Sequence, residues 1–268
     1  MKIYIMADME GISGIACREQ TDRGHFRYAE GRRLLTGDVN AAVRGAIDGG
    51  ADEVLVADAH GASFNLLPEA LDPRARLLVG TPQKGPRLSC LDASVSGMFL
   101  IGYHAMAGTL HAVLEHTMNS RAWHSVRVNG KPIGEVGIDA GMAAAAGVPT
   151  ILVTGDDKVC AEARALLGDV ETVCVKQGLG RHHAMCLSPQ EAAARIEKAA
   201  KRAVERLAAG GAGFRLPVYE GHVTVSITYK HTEDADNAAS SVHARRVDGY
   251  TVEEDYRTFA DWYGGLAK

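Results

Sequence analysis

Five side chains along the first half of this sequence carry donors suited to a metal ion. Asp8 and Glu10, His60, and His104 each follow an apolar run, at Lys2–Ala7, Val54–Ala57 and Met98–Ile101, and Glu135 lies just beyond a hairpin strand in Gly134-Glu135-Val136-Gly137. Asp8 and Glu10 are two residues apart, so on an extended backbone both carboxylates point to the same side. Two like charges held together at a strand end repel unless a cation neutralises them. Asp58 and His60 repeat that spacing with a carboxylate and an imidazole. No thiol belongs to the set, so the donors are oxygen and nitrogen, which suits Zn, Mn or Co in a hydrolytic site better than a structural zinc. Five donors exceed the need of one open tetrahedral ion, and a shared carboxylate with two ions fits better.

Each residue also has a plainer reading. An Asp at a strand end is commonly a helix cap or loop anchor, and Asp58 could orient His60 without touching an ion. His104 alone reads as a loop histidine, and Glu135 alone as a helix N-terminal charge favoured by the dipole. Caps alone do not readily give three strand ends of matching chemistry. His116, in Glu115-His116-Thr117-Met118-Asn119, lies between His104 and Glu135. It fits a proton carrier or a donor to a developing oxyanion, with a hydrogen-bonded structural histidine as the alternative. The His182-His183 pair beside Arg181 reads as a solvated loop, or else as lining for a substrate channel.

The elements that must position these groups follow from apolar patterning. Lys2–Ala7 reads as a strand, Tyr28–Asp48 as an amphipathic helix stopped by Gly49-Gly50, and Val54–Ala57 as a second strand, apolar throughout and so buried on both faces. Leu77–Val79 and Met98–Ile101 are further strands, and Val126–Val128 turns at Asn129-Gly130 into a hairpin. Ala140–Ala146 reads as a buried helix, Thr150–Val153 as a strand, the segment after Asp156 as a capped helix, and Val170–Val175 as a strand. Alternating strands and helices of this kind imply an α/β fold with a doubly wound, mostly parallel sheet. In such a sheet the carboxyl ends of the strands open on one crevice, where residues about fifty positions apart can converge.

Beyond a polar loop at Gly178–Met185 the texture changes. Ser188-Pro189-Gln190-Glu191 opens a helix to about Ala209, followed by an alternating strand at His222–Tyr229, a polar helix, a strand near Val242–Val247 and a last helix capped by Thr251 with Glu254. Residues 1–186 are therefore expected to form an α/β metal-binding catalytic domain and residues 187–268 a smaller α+β domain.

Composition limits the function classes. A net charge of -4 and no clustered basic run exclude general attraction to nucleic acid or anionic lipid. No apolar stretch reaches the roughly 18 to 20 residues a membrane span needs, and the opening segment is too short for a secretory signal. Five cysteines, odd in number and without a CxxC pair, make a disulfide framework unexpected. A cytoplasmic protein is the expectation.

Ala7-Asp8-Met9-Glu10-Gly11-Ile12-Ser13-Gly14, Asp58-Ala59-His60, Gly102-Tyr103-His104-Ala105, His116-Thr117-Met118 and Gly134-Glu135-Val136-Gly137 together resemble the zinc D-aminopeptidases of the DppA type, peptidase family M55. The resemblance runs along essentially the whole chain and is weakest in the carboxyl-terminal part. It implies two Zn2+ per subunit, with Asp8 bridging, Glu10 and His104 on one ion, and His60 and Glu135 on the other; Mn2+ or Co2+ would suit the same donors. His116 matches the residue proposed in that family as nucleophile. Chemistry favours a metal-activated water there, because an imidazole attacking an amide leaves a leaving-group problem. The resemblance further implies a homodecamer of two stacked rings around an inner chamber, and release of D-amino acids such as D-Ala from short peptides. Ala59 and Glu115 stand where the family has small hydroxylated residues, which bears on specificity before metal binding. The competing readings are an amidohydrolase of the same fold acting on an L-peptide or non-peptide amide, and a non-catalytic peptide-binding protein. A phosphoesterase is disfavoured because no Arg or Lys accompanies the motifs to clamp a phosphate.

Overall fold

The computed structural model describes residues 1–80, 87–241 and 243–265. In chain order its elements are β1 (Lys2–Ala7), α1 (Tyr28–Asp48), β2 (Glu53–Asp58), β3 (Ala75–Leu78), β4 (Gly97–Tyr103), β5 (Trp123–Val128), β6 (Lys131–Pro132), α2 (Glu135–Ala145), β7 (Thr150–Asp156), α3 (Asp157–Leu167), β8 (Glu171–Gly180), β9 (His183–Cys186), α4 (Pro189–Ala208), β10 (Val223–Tyr229), α5 (Thr232–Ala238), β11 (Ala244–Arg246), β12 (Thr251–Tyr256) and α6 (Phe259–Gly265).

Strand β1 sits centrally because both its faces are apolar. Ile3, Ile5 and Ala7 pack into one core with α1 and α4, while Tyr4 and Met6 face a second core that includes residues of α2, α3 and α6. Helices thus cover both faces of a sheet ordered β3-β2-β1-β4-β7-β8-β9, parallel except where β9 turns back on β8. After β1 the chain builds outward through β2 and β3, then returns to place β4 on the other side of β1. That reversal opens a crevice at the carboxyl ends of β1 and β4, where ligands bind in folds of this class. This is the mixed α/β architecture expected, with a second, antiparallel sheet ordered β11-β12-β10-β5-β6. The second sheet draws strands from both sides of residue 187, and α4, which follows that residue, lies along α1 in the first layer with Arg44 paired to Glu197 at 2.7 Å.

Two expectations are corrected. The segment from Thr251 is strand β12, not the last helix; α6 begins at Phe259. Thr251 and Glu254 resemble a helix start, but Thr, Val and Tyr favour extended backbone, and β12 is held between β10 and β11, with Val252 buried. Gly178–Met185 is likewise not a loop throughout: β8 runs to Gly180 and β9 starts at His183. This hairpin lies at the sheet edge with His183, Met185 and Cys186 exposed, so no buried stripe marks it in the sequence. Of the strand expected near Val242–Val247, Ala244–Arg246 is extended and Val242 lies outside the described residues. Among the described residues no helix is long and apolar enough to cross a membrane.

Candidate metal centre

Two glycines bring the ends of β1 and β4 together. Gly102, at φ 73°, lies where a Cβ would fall 2.3 Å from the Asp8 carbonyl, and a Cβ on Gly11 would fall 1.9 Å from the Tyr103 carbonyl. Only glycine tolerates both the left-handed backbone and this approach. Gly11 N–H donates to Gly102 O at 2.7 Å, and Gly102 N–H donates to Thr154 Oγ1 at 2.9 Å. Lys176, buried on β8, supports the turn from beneath by donating to the carbonyls of Glu10, Ile12 and Ile15 at 2.5, 2.9 and 2.6 Å. Burial pushes its ammonium down to about 8.

The Asp58 carboxylate does not face the His60 ring. It accepts from the backbone of His60, Asn65 and Leu66 and from the Asn65 side chain, at 2.6 to 3.2 Å, and so ties down the loop that carries His60. His60 Nδ1 then lies 3.1 Å from Asp8 Oδ1 and 3.0 Å from Glu10 Oε2. On the other side, His104 Nε2 lies 3.4 Å from Asp8 Oδ2 and 3.3 Å from Glu135 Oε1. Glu135 is the first residue of α2, so its carboxylate stands at a helix N-terminus.

His116 stacks on His104, ring centroids 4.0 Å apart, with its Nε2 3.6 Å from Glu135 Oε1. Its loop is held hard: Leu114 and Met118 have φ of 52° and 59°, and Val113 N–H donates to Asp156 Oδ2 at 2.9 Å. Left-handed backbone at such residues costs of order 1 kcal/mol and persists only where surrounding contacts enforce it.

The six side chains fall into two groups, Asp8 with Glu10 and His60, and His104 with His116 and Glu135, each with donor atoms within 4.8 Å of one another. The resemblance implied another partition, with His104 beside Glu10 and His60 beside Glu135; here His60 is the neighbour of Glu10 and His104 of Glu135. Each imidazole is oriented by a backbone carbonyl at its far nitrogen: Thr21 for His60 at 3.1 Å, Ala105 for His104 at 3.0 Å and Leu114 for His116 at 2.9 Å. In the neutral imidazole, an N–H donated there would leave the other nitrogen's lone pair turned to the carboxylates, the arrangement of metal-ligating histidines. Asp8 Oδ2, Glu10 Oε2 and His104 Nε2 are buried without a hydrogen-bond partner. Orphaned donor and acceptor atoms of this kind are rare, and a divalent cation among them would satisfy all three. The oxygen and nitrogen donors fit zinc.

Without a metal the electrostatics strain toward one. Burial, with Glu10 beside it, raises the Asp8 carboxyl above its ordinary value. Burial also acts to raise Glu10 and Glu135, but His60 outweighs it at Glu10 and His104 at Glu135, and both end well below the carboxylate range. The imidazoles respond in kind: burial opposes their charge, yet Glu10 holds His60 well above 6.5 and Glu135 lifts His104 to about 10. Imidazolium thus supplies in the metal-free protein the positive charge that the carboxylates require.

Asp8, Glu10, His60, His116 and Glu135 open on a cavity of about 730 Å³, while His104 is buried behind it. Arg181 and His182, in the turn between β8 and β9, line its wall, with Arg181 paired to Glu115, whereas His183 opens β9, is exposed and does not line the cavity. Arg87 also lines the cavity, 3.5 Å from Glu135 Oε2. The sequence analysis missed it, because Arg87 lies outside the quoted motifs and reaches Glu135 only through the fold.

The family described as D-aminopeptidase, peptidase M55, matches residues 1–267. The chain belongs to this family. A D-aminopeptidase from Bacillus subtilis strain 168 is 38% identical over 192 residues, 72% of this chain and 69% of that protein. Among solved structures, the Zn-dependent D-aminopeptidase DppA from Bacillus subtilis, described as a self-compartmentalizing protease, superposes with a TM-score of 0.91 at 30% identity, covering 99% of this chain and 95% of the other.

Proposed function

We propose that this M55 member is a metal-dependent aminopeptidase that removes an amino-terminal D-residue such as D-Ala from short peptides, with two zinc ions held by Asp8, Glu10, His60, His104 and Glu135. The observation that carries the reading is the meeting of two donor groups at Asp8, whose Oδ1 faces His60 and Oδ2 faces His104. Asp8 is then the shared ligand. When bound, divalent ions supply Lewis acidity toward the scissile carbonyl and lower the pKa of water. Asp8, Glu10 and Glu135 fix where that charge sits, and the three backbone carbonyls fix which imidazole nitrogen faces it. His116, with its Nδ1–H donated to Leu114, turns Nε2 to the same space and is placed to take a proton and return it to the leaving amine, or to donate to the oxyanion. A non-catalytic peptide binder needs neither a shared carboxylate nor this imidazole. Assembly into a multimer around the cavity would admit short peptides and close off folded proteins, and exposed apolar side chains such as Phe26, Leu110 and Met185 are available to be covered in one.

Turnover of matched D- and L-alanyl amides and dipeptides by zinc-loaded protein tests the reading. The expected result is hydrolysis with the D-form preferred by at least about tenfold, the discrimination that a misplaced methyl gives in a fitted pocket. Equal or better turnover of the L-forms would make the chain an L-amidohydrolase, and binding without turnover would make it a peptide receptor.

A further inference from the structure

Glu135 and Asp139 stand four residues apart on α2, two buried carboxylates on one helix face. Like charges at that spacing repel. Arg87 lies between them, with Nη2 3.5 Å from Glu135 Oε2 and 3.4 Å from Asp139 Oδ2, and Nη1 donates to Met118 Sδ at 3.5 Å. Asp139, with no exposed surface, is fixed from two further elements: Tyr103, closing β4, donates to Oδ2 at 2.6 Å, and Tyr263 in α6 donates to Oδ1 at 2.9 Å. The two oxygens of Glu135 consequently face different groups. Oε2 is turned to the guanidinium, while Oε1 accepts from Met118 N–H at 2.8 Å and faces His104 and His116.

We propose that Arg87, locked by Asp139 and through it by Tyr263, is a positioning residue for Glu135: it occupies Oε2 so that Oε1 alone is presented to the ion beside His104. This rests on the metal reading above. A planar guanidinium spans two carboxylates as a single ammonium does not. Arg87 is poorly placed to clamp a substrate carboxylate, because both terminal nitrogens are engaged, Nε is buried, and the side chain is only 17% exposed. Its charge is secured against burial by Asp139 and Glu135.

Chelator competition on zinc-loaded wild type, Arg87→Met, Arg87→Lys and Tyr263→Phe, with bound ions counted, tests the role. The expected result is that Arg87→Met weakens one of two ions by about 10- to 100-fold, the usual effect of losing a group that orients a ligand. The other ion is expected to stay put, Arg87→Lys to recover part of the loss, and kcat to fall while KM holds. Unchanged affinity for both ions with a raised KM would overturn the proposal and make Arg87 a substrate contact. Should Arg87→Met fail to fold, Tyr263→Phe decides: a loss of about threefold or more at one ion supports the role, and none overturns it. A wild type that binds no divalent ion overturns the metal reading and this role with it, whereas two ions in wild type and no change in the variants overturns the Arg87 role alone.

Discussion

Asp8→Ala is expected to lose both ions and, with them, hydrolysis down to background. Asp8 has one oxygen facing each donor group, Oδ1 toward His60 and Oδ2 toward His104. His60→Ala, by contrast, disturbs only the group of Asp8 and Glu10 and leaves His104 with Glu135, so it should retain one ion. Metal counting on the two purified variants reads the difference directly, and two ions in Asp8→Ala would remove Asp8 from the shared position. Thermal unfolding separates this from a folding defect. Burial already disfavours the Asp8 carboxylate, so in metal-stripped protein the alanine variant should unfold no lower than wild type. Zinc should then raise the unfolding temperature of wild type and not of the variant, since an ion that binds only the folded state stabilises it.

His116→Ala is expected to cut kcat by about 10² to 10⁴, the range for loss of a proton carrier or oxyanion donor. Its Nε2 stands 3.6 Å from Glu135 Oε1 and belongs to the second donor group, so its metal content is the discriminating readout. Two ions with impaired turnover identify a catalytic group. Loss of one ion identifies a ligand, and near-normal turnover leaves His116 only its stack on His104. His116→Gln, which can still donate, should retain more activity than the alanine variant if oxyanion stabilisation dominates.

Local signals made much of this legible in the sequence. Tyr28–Asp48 and Lys2–Ala7 are read without error because their patterns depend on a face, or both faces, being buried, and neither needs long-range information. The convergence of Asp8, His60 and His104 follows from strand ends in a parallel sheet. What escaped depends on tertiary contact. Nothing local distinguishes Arg87 from a surface arginine, and its role exists only because α2 and α6 bring Glu135, Asp139 and Tyr263 to it. A signal was nevertheless present: Glu135 and Asp139, one turn apart in an otherwise apolar helix, require a cation. Thr251 misled for the opposite reason, since a capping pattern of four residues was outweighed by pairing with β10 and β11.

The paired site is tested most directly by titrating zinc into metal-stripped protein at pH 7 while following bound ions, released protons and hydrolysis of a D-alanyl amide together. His104 is raised to about 10 and His60 well above 6.5, so in the metal-free protein both carry protons at pH 7. That contribution to metal-free stability is fully present below about 6.5 and is lost as pH rises through the folded-state values. Ligation requires both imidazoles neutral, so zinc must expel about two protons and bind more tightly as pH rises. The expected result is saturation at two zinc per chain, about two protons released, and hydrolysis rising to a plateau as the second ion fills. Full hydrolysis by stripped protein in the presence of chelator, or zinc bound at neither group, would contradict it.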